Sequence, residues 1–220
     1  MAVLEGGVSG VLCGVGVEAA NALHVVQKPI PHGALGHYRT SIKLNMAIAQ
    51  GANSRLFELR NTGSNVIVLT SCRVCFMPTG TVTVPYAAEL AFFRLTNFTA
   101  VDTTGTVTPT SSTRRTAGMA AYPGGAAVRH ATVAGVVGGM TGGTLTKDAN
   151  AIASSIAYAA TASATTIPIW WEFAEDMNGG HPGVFAQNEG FEIENVVVGS
   201  ITANTIQVVI DASWAEVTAY

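Results

Sequence analysis

Residues 167–216 read as apolar strands cut by Gly, Asn and Asp turns. Ile167-Pro-Ile-Trp-Trp-Glu-Phe leads to Asn188-Glu-Gly-Phe-Glu-Ile-Glu-Asn-Val-Val-Val, then to Thr205-Ile-Gln-Val-Val-Ile-Asp-Ala-Ser-Trp-Ala-Glu. Runs of β-branched and aromatic residues broken at intervals of roughly 8–12 residues point to an all-β sandwich or barrel. The connections are too short for helical crossovers, so neighbouring strands should pair antiparallel. One all-β domain with appendages accommodates all 220 residues.

The same pattern extends over residues 37–98. Ile42, Leu44, Met46 and Ile48 alternate with Lys43 and Asn45, the period of a half-buried strand. Ser54-Arg-Leu-Phe-Glu-Leu-Arg-Asn follows, and a Thr62-Gly-Ser-Asn turn leads into a long strand from Val66 to Met77 that ends at Pro78-Thr-Gly. Ala87-Ala-Glu-Leu-Ala-Phe-Phe-Arg-Leu reads as another strand, though its Ala and Leu content also permits helix. Residues 99–150 change character, with Thr- and Ser-rich stretches, Pro109, Tyr122-Pro-Gly-Gly and Gly135-Val-Val-Gly-Gly-Met-Thr-Gly-Gly. So many breakers predict a long excursion holding at most one short hairpin. Residues 1–36 carry Pro29 and Pro31, which disfavour helix and extend the residues before them. A short helix near residues 18–26 is permitted. Val11, Leu12, Val15, Leu23, Val25 and Val26 make this segment too apolar for a solvated tail and predict an extended arm ordered on a neighbouring subunit.

Charged residues form only 11% of the chain and hydrophobic ones 48%, which excludes a disordered chain. Lysine appears only at Lys28, Lys43 and Lys147. Obligate interfaces are depleted in Lys, Glu and Asp, so the balance favours burial between subunits over a neutral monomer surface. The net charge is −3 and Arg114-Arg115 is the only adjacent basic pair, which gives no basic stripe for nucleic acid. No run of about 20 apolar residues reads as a membrane-spanning helix. The start, Met1-Ala-Val-Leu-Glu, lacks the basic and apolar regions of a cleavable leader. Three cysteines fit synthesis in a reducing cytoplasm.

Reaction chemistry is sparse. Cys72-Arg-Val-Cys75 has metal-like spacing but sits in an expected strand, where positions i and i+3 face opposite ways, so it reads as two buried thiols. His24, His32, His37, His130 and His181 form no metal spacing and read as polar loop residues. Glu172, Glu175 and Asp176 flank the Trp pair and are weighed as glycosidase carboxylates, which need defined separation across a cleft. Trp170, Trp171 and Trp214 read as core or interface residues, with sugar stacking as the alternative. No nucleophile elbow, phosphate loop or dinucleotide fingerprint is present. No catalytic, cofactor or metal site is expected.

Phe185-Ala-Gln-Asn-Glu-Gly-Phe-Glu-Ile-Glu-Asn, Val208-Val-Ile-Asp-Ala-Ser-Trp-Ala-Glu-Val and Ala49-Gln-Gly-Ala-Asn-Ser-Arg-Leu-Phe-Glu-Leu-Arg resemble small β-rich virion proteins of tailed bacteriophages. The likeness covers roughly residues 40–98 and 165–217. It implies a non-enzymatic particle component, assembled in a host cytoplasm and located in the virion, of the capsid decoration, cement or tail-associated kind. The expected architecture is a jelly-roll-like antiparallel β-sandwich over residues 37–220, with an extended arm at 1–36 and an excursion at about 99–150. The expected partners are copies of itself and a major capsid or tail protein, with no nucleic acid and no membrane. The expected contacts are Val11, Leu12, Val15, Leu23, Val25, Val26, Trp170 and Trp171. The alternative function is a carbohydrate- or receptor-binding module of a fibre, using Trp170 or Trp171 on a host-surface glycan.

Overall fold

The computed structural model describes residues 36–45, 51–78, 85–108, 113–114, 127–131, 139–159, 169–172, 183–196 and 206–218. The chain divides into two units, Met1–His32 and Gly33–Tyr220. The first, with the arm residues Val11, Leu12, Val15, Leu23, Val25 and Val26, lies outside the described residues. The described residues form thirteen strands: β1 (Gly36–Asn45), β2 (Ser54–Arg60), β3 (Val66–Pro78), β4 (Tyr86–Ala100), β5 (Thr106–Val107), β6 (Thr113–Arg114), β7 (Val128–Ala131), β8 (Thr144–Lys147), β9 (Ala153–Ala159), β10 (Ile169–Glu172), β11 (Gly183–Phe185), β12 (Gly190–Asn195) and β13 (Ile206–Val217). No α-helix forms among the described residues.

The topology is that of a long hairpin rolled up. β1 pairs with β13, β2 with β12, β3 with β10 and β11, and β4 with β8 and β9, all antiparallel. Rolling brings β13 against β3 and β12 against β4. Two sheets result. The first runs β10-β3-β13-β1-β6 with β11 also on β3, and the second runs β5-β7-β2-β12-β4-β8 with β9 also on β4. Successive long strands β1 to β4 alternate between the sheets. This is the strand order of a jelly roll, the expected fold class, enlarged by β5, β6 and β7 at the margins.

Side-chain alternation fills the space between the sheets. On β1, Tyr38, Thr40, Ile42 and Leu44 are buried while Arg39, Ser41 and Lys43 face out. On β13, Ile206, Val208, Ile210 and Ala212 are buried between half-buried neighbours. Trp214 continues that inward row and stacks on Tyr38 with ring centroids 6.0 Å apart. The inward residues of β3 change parity, from Ile67 and Leu69 to Cys72, Val74 and Phe76. The cause is a bulge: Ser213 pairs with Ser71 and Trp214 with Leu69, leaving Thr70 as the extra residue. Cys72 therefore faces the core and Cys75 the other side, so the two thiols do not converge. On the second sheet, Phe191 meets Phe92 at 4.8 Å and Phe57 at 5.6 Å. It reaches across to Phe185 of the first sheet at 5.7 Å.

Two sequence expectations need correction. Residues 99–150 are more than an excursion: the described residues there form four short strands, β5 to β8, and Val128, Ala131 and Met140 belong to the core. Of these, β5, β6 and β8 pair with one described strand each, and edge positions of that kind tolerate the Gly and Thr that mark this stretch, while β7 is paired on both sides by β5 and β2. His37 and His130 lie in strands rather than loops. His37 Nε2 is 3.2 Å from Thr70 Oγ1, and His130 Nδ1 is 2.7 Å from the carbonyl of Ala131.

Phe191 joins both sheets, so Phe191→Ala is expected to cost about 3–5 kcal/mol in chemical denaturation. Ile156→Ala, at an exposed position on β9, is expected to stay within about 0.5 kcal/mol.

Candidate functional site

Sequence alternation on β2 would put Arg55 on the same side as Phe57 and Leu59, in the core. A second bulge prevents this. Ile193 pairs with Phe57 but Glu194 pairs with Arg55, so Leu56 is the extra residue. Arg55 is thereby turned to the outer face of the second sheet, beside Glu58 and its direct partner Glu192. Glu192 and Glu194, two apart on β12, share that face.

The chain leaves β4 at Ala100 and must reach β5, at the opposite margin of the sheet. Residues 101–105 make this crossing over the outer face. The Asp102 N–H donates to Glu58 Oε1 at 2.8 Å. Both Asp102 carboxylate oxygens lie 3.0 Å from Arg55 Nη1, and Oδ1 accepts from the Gly143 N–H at 2.6 Å. Residues 139–143 close the arrangement. Thr104 and Thr141 exchange backbone hydrogen bonds of 2.9 and 3.1 Å, and the Met140 N–H donates to the Arg55 carbonyl at 3.0 Å. Gly139 makes this approach at φ +70°, where a Cβ would press on the Arg55 backbone.

Lys147 on β8 spans β4 to reach the cluster. Its Nζ lies 4.3 Å from the centre of the Phe93 ring and bonds Glu194 Oε2 at 2.7 Å. Arg55 Nε is 3.2 Å from Glu192 Oε2, an ion-pair contact without hydrogen-bond alignment. Glu58, Asp102, Glu192 and Glu194 are buried. Burial, then the neighbouring Asp102 charge, pushes Glu58 up to about 7. Burial, then the hydrogen bond with Glu194, pushes Glu192 up to about 8. Burial works to lower the Arg55 value, but the charges of Glu192 and Asp102 outweigh it and hold Arg55 above its ordinary range. Chemically, this face can hold a proton and bind a crossing segment. Complete burial keeps substrates off its carboxyl groups.

A different surface lies on β9, which pairs with β4 and with no other described strand. Ile156 and Tyr158, two apart on β9, share a face and are 63% and 67% exposed, and Ile152 just before the strand is 43% exposed.

The structure does not gather the residues singled out from sequence. Trp170 and Trp171 lie on marginal strand β10, with backbones opposite Cys75 and Val74. Glu172 is opposite Arg73, and Glu175, Asp176, His24, His32 and His181 lie outside the described residues. Trp214 is fully buried against Tyr38, which removes it from sugar stacking. Sequence reading missed Arg55, Glu58, Asp102, Glu192, Glu194 and Lys147. Their only signal was Gly190-Phe-Glu-Ile-Glu-Asn, whose alternating acids ordinarily mark a solvated face.

No protein-family model and no curated protein matches this chain. Among solved structures, the empty head of turnip yellow mosaic virus is similar over 90% of this chain and 88% of its own, with a TM-score of 0.33 and 10% identity. A likeness that loose bears on neither fold nor function.

Arg55 is the counter-charge of two buried carboxyls. Arg55→Ala is expected to cost about 3 kcal/mol or more at neutral pH, since breaking a buried pair strands its partner. Arg39→Ala, at the exposed 3.5 Å pair with Asp211, is expected to change stability by less than about 1 kcal/mol. Urea denaturation of both variants checks the contrast.

Proposed function

We propose that this chain is a non-enzymatic structural subunit of a virus particle, associating with copies of itself and with other particle proteins. The rolled-hairpin strand order carries the reading, because viral capsid domains are among the main users of that topology. Charge distribution supports it. The chain has 11 basic and 14 acidic residues. Seven of them (Arg55, Arg129, Lys147, Glu58, Asp102, Glu192 and Glu194) belong to the cluster on the outer face of the second sheet. The remaining surface is poorer in charge than the composition alone implies, as contact surfaces between permanent partners are.

We assign the row on β9 to contact between copies. Ala153–Ala159 carries no charged residue and has Ile156 at its midpoint. A second copy laid antiparallel along the edge of β9 that no described strand covers would therefore set Ile156 against its counterpart, a self-complementary two-fold contact. The finer form of the reading is a decoration or cement protein of a tailed bacteriophage, located in the virion. Its support is the sequence resemblance over residues 40–98 and 165–217. In that form the arm residues Val11 to Val26 and the Trp170–Trp171 pair supply further contacts. Lectin domains share the jelly-roll order, and Trp170 and Trp171 lie on a marginal strand, so a glycan-binding module is the second reading.

Light scattering of the full chain over a wide concentration range is expected to show self-association. Ile156→Asp combined with Tyr158→Asp should weaken it by about tenfold or more, a loss typical of interface anchors, while thermal unfolding stays nearly unchanged. A full-length chain that remains monomeric at high concentration and ignores virus particles overturns the reading. Glycan binding that Trp170→Ala or Trp171→Ala abolishes would favour the second one.

A further inference from the structure

Glu58, Glu192 and Glu194 are enclosed on the outer face of the second sheet. Yet Glu58 Oε2, Glu192 Oε1 and Glu194 Oε1 meet no hydrogen-bond donor among the described residues. A buried carboxylate oxygen without a donor is costly. The surrounding charges do not remove that cost. Glu192 is faced by Glu194 from its own strand, by Arg55 and Glu58 from β2, and by Lys147 from β8. Glu58 is faced by Asp102 from the crossing segment, by Arg55, and by Arg129 from β7. On β4 the uncharged Ala91 and Phe93 lie opposite Glu194 and Glu192, and Glu89 follows on the same face, opposite Ile156 of β9. Residues 139–143 bring no ionisable side chain, and His130 lies opposite Phe57 on the core side. The carboxyls of Glu58, Asp102, Glu192 and Glu194 thus exceed the cations of Arg55, Arg129 and Lys147 by one. A single proton balances the charge and gives the Glu192–Glu194 pair the O–H that two carboxylates otherwise lack.

We propose that this face is a proton-binding site: a proton that Glu192 holds against Glu194 fastens residues 101–105 and 139–143 to the second sheet, and its loss frees them. The coupling runs through Asp102. Its N–H is held by Glu58, its carboxylate by Arg55, and that carboxylate holds the Gly143 N–H. An ionised Glu192 competes for Arg55 and repels Glu58 and Asp102. Glu58 and Glu192 titrate at about 7 and about 8 in the closed arrangement, against an ordinary 4.5. Both values are raised, so the closed form binds more protons than the open form between about 4.5 and 8. The closed form is accordingly at its most stable below that window and loses stability as pH climbs through it. The loss reaches about tenfold per pH unit for each proton released. The device lies within one chain and stands apart from the assembly reading.

Hydrogen exchange on the full chain tests it, with protection factors corrected for the intrinsic pH dependence of exchange. Between pH 6 and 8.5 the amides of Asp102, Met140 and Gly143 should lose about tenfold or more of their protection, and those of Phe191 and Ile193 much less. In Glu192→Gln, whose amide is a permanent donor, the loss should shrink to the part that Glu58 carries. Constant protection in the unmodified chain, or an equal loss in Glu192→Gln, overturns the proposal. Should that variant fail to fold, carbon NMR of the unmodified chain decides. A glutamate carboxyl titrating above pH 6 supports the site, and titration of every glutamate below about pH 5.5 overturns it.

Discussion

Each long strand in the first half of the chain is held by a strand from the second half, and the sandwich depends on those distant pairings. Gly36 pairs with Glu216, Arg60 with Gly190, and Tyr86 with Ala159. Little forms locally, so loop-closure entropy must be met before the sheets reward it, which makes this a slow-folding topology. The compensation is a single core in which Tyr38, Phe57, Phe92, Phe185, Phe191 and Trp214 are all buried. Gly190 shows how tightly the strands meet. A Cβ there would run into the Leu59 carbonyl where β12 joins β2.

Two one-residue irregularities do more to shape this molecule than any loop. The extra Thr70 on β3 turns Cys72, Val74 and Phe76 inward, opposite the inward row of β13 that ends in Trp214 stacked on Tyr38. The extra Leu56 on β2 turns Arg55 outward. Without the second, Arg55 would point its guanidinium into an apolar core, and Asp102 and Glu192 would lose their counter-charge. A bulge at one residue thus decides whether the crossing segment has anything to hold.

That ionic face does not serve stability cheaply. Burying several charges generally costs more than an apolar packing of the same volume. Its value is in specificity and response. It fixes where residues 101–105 and 139–143 lie, and it ties their position to proton activity. If the chain builds a shell, its charge is spent inside the subunit and its outer surfaces are left to apolar contact, as on β9.

The sequence by itself determined the all-β class, the antiparallel pairing and most of the long strands. Period-two alternation at Ile42 and Leu44, and again from Ile206 to Ala212, needs only one buried face to be legible. It also separated Cys72 from Cys75, because strand geometry alone places positions three apart on opposite sides. Which strands became neighbours, the short strands within residues 99–150, and the buried fate of Glu58, Glu192 and Glu194 were decided by tertiary structure. Alternation announces two faces but not what covers the second one. An acid on a strand reads as solvated until a distant segment such as residues 101–105 crosses over it, and no local pattern records that crossing.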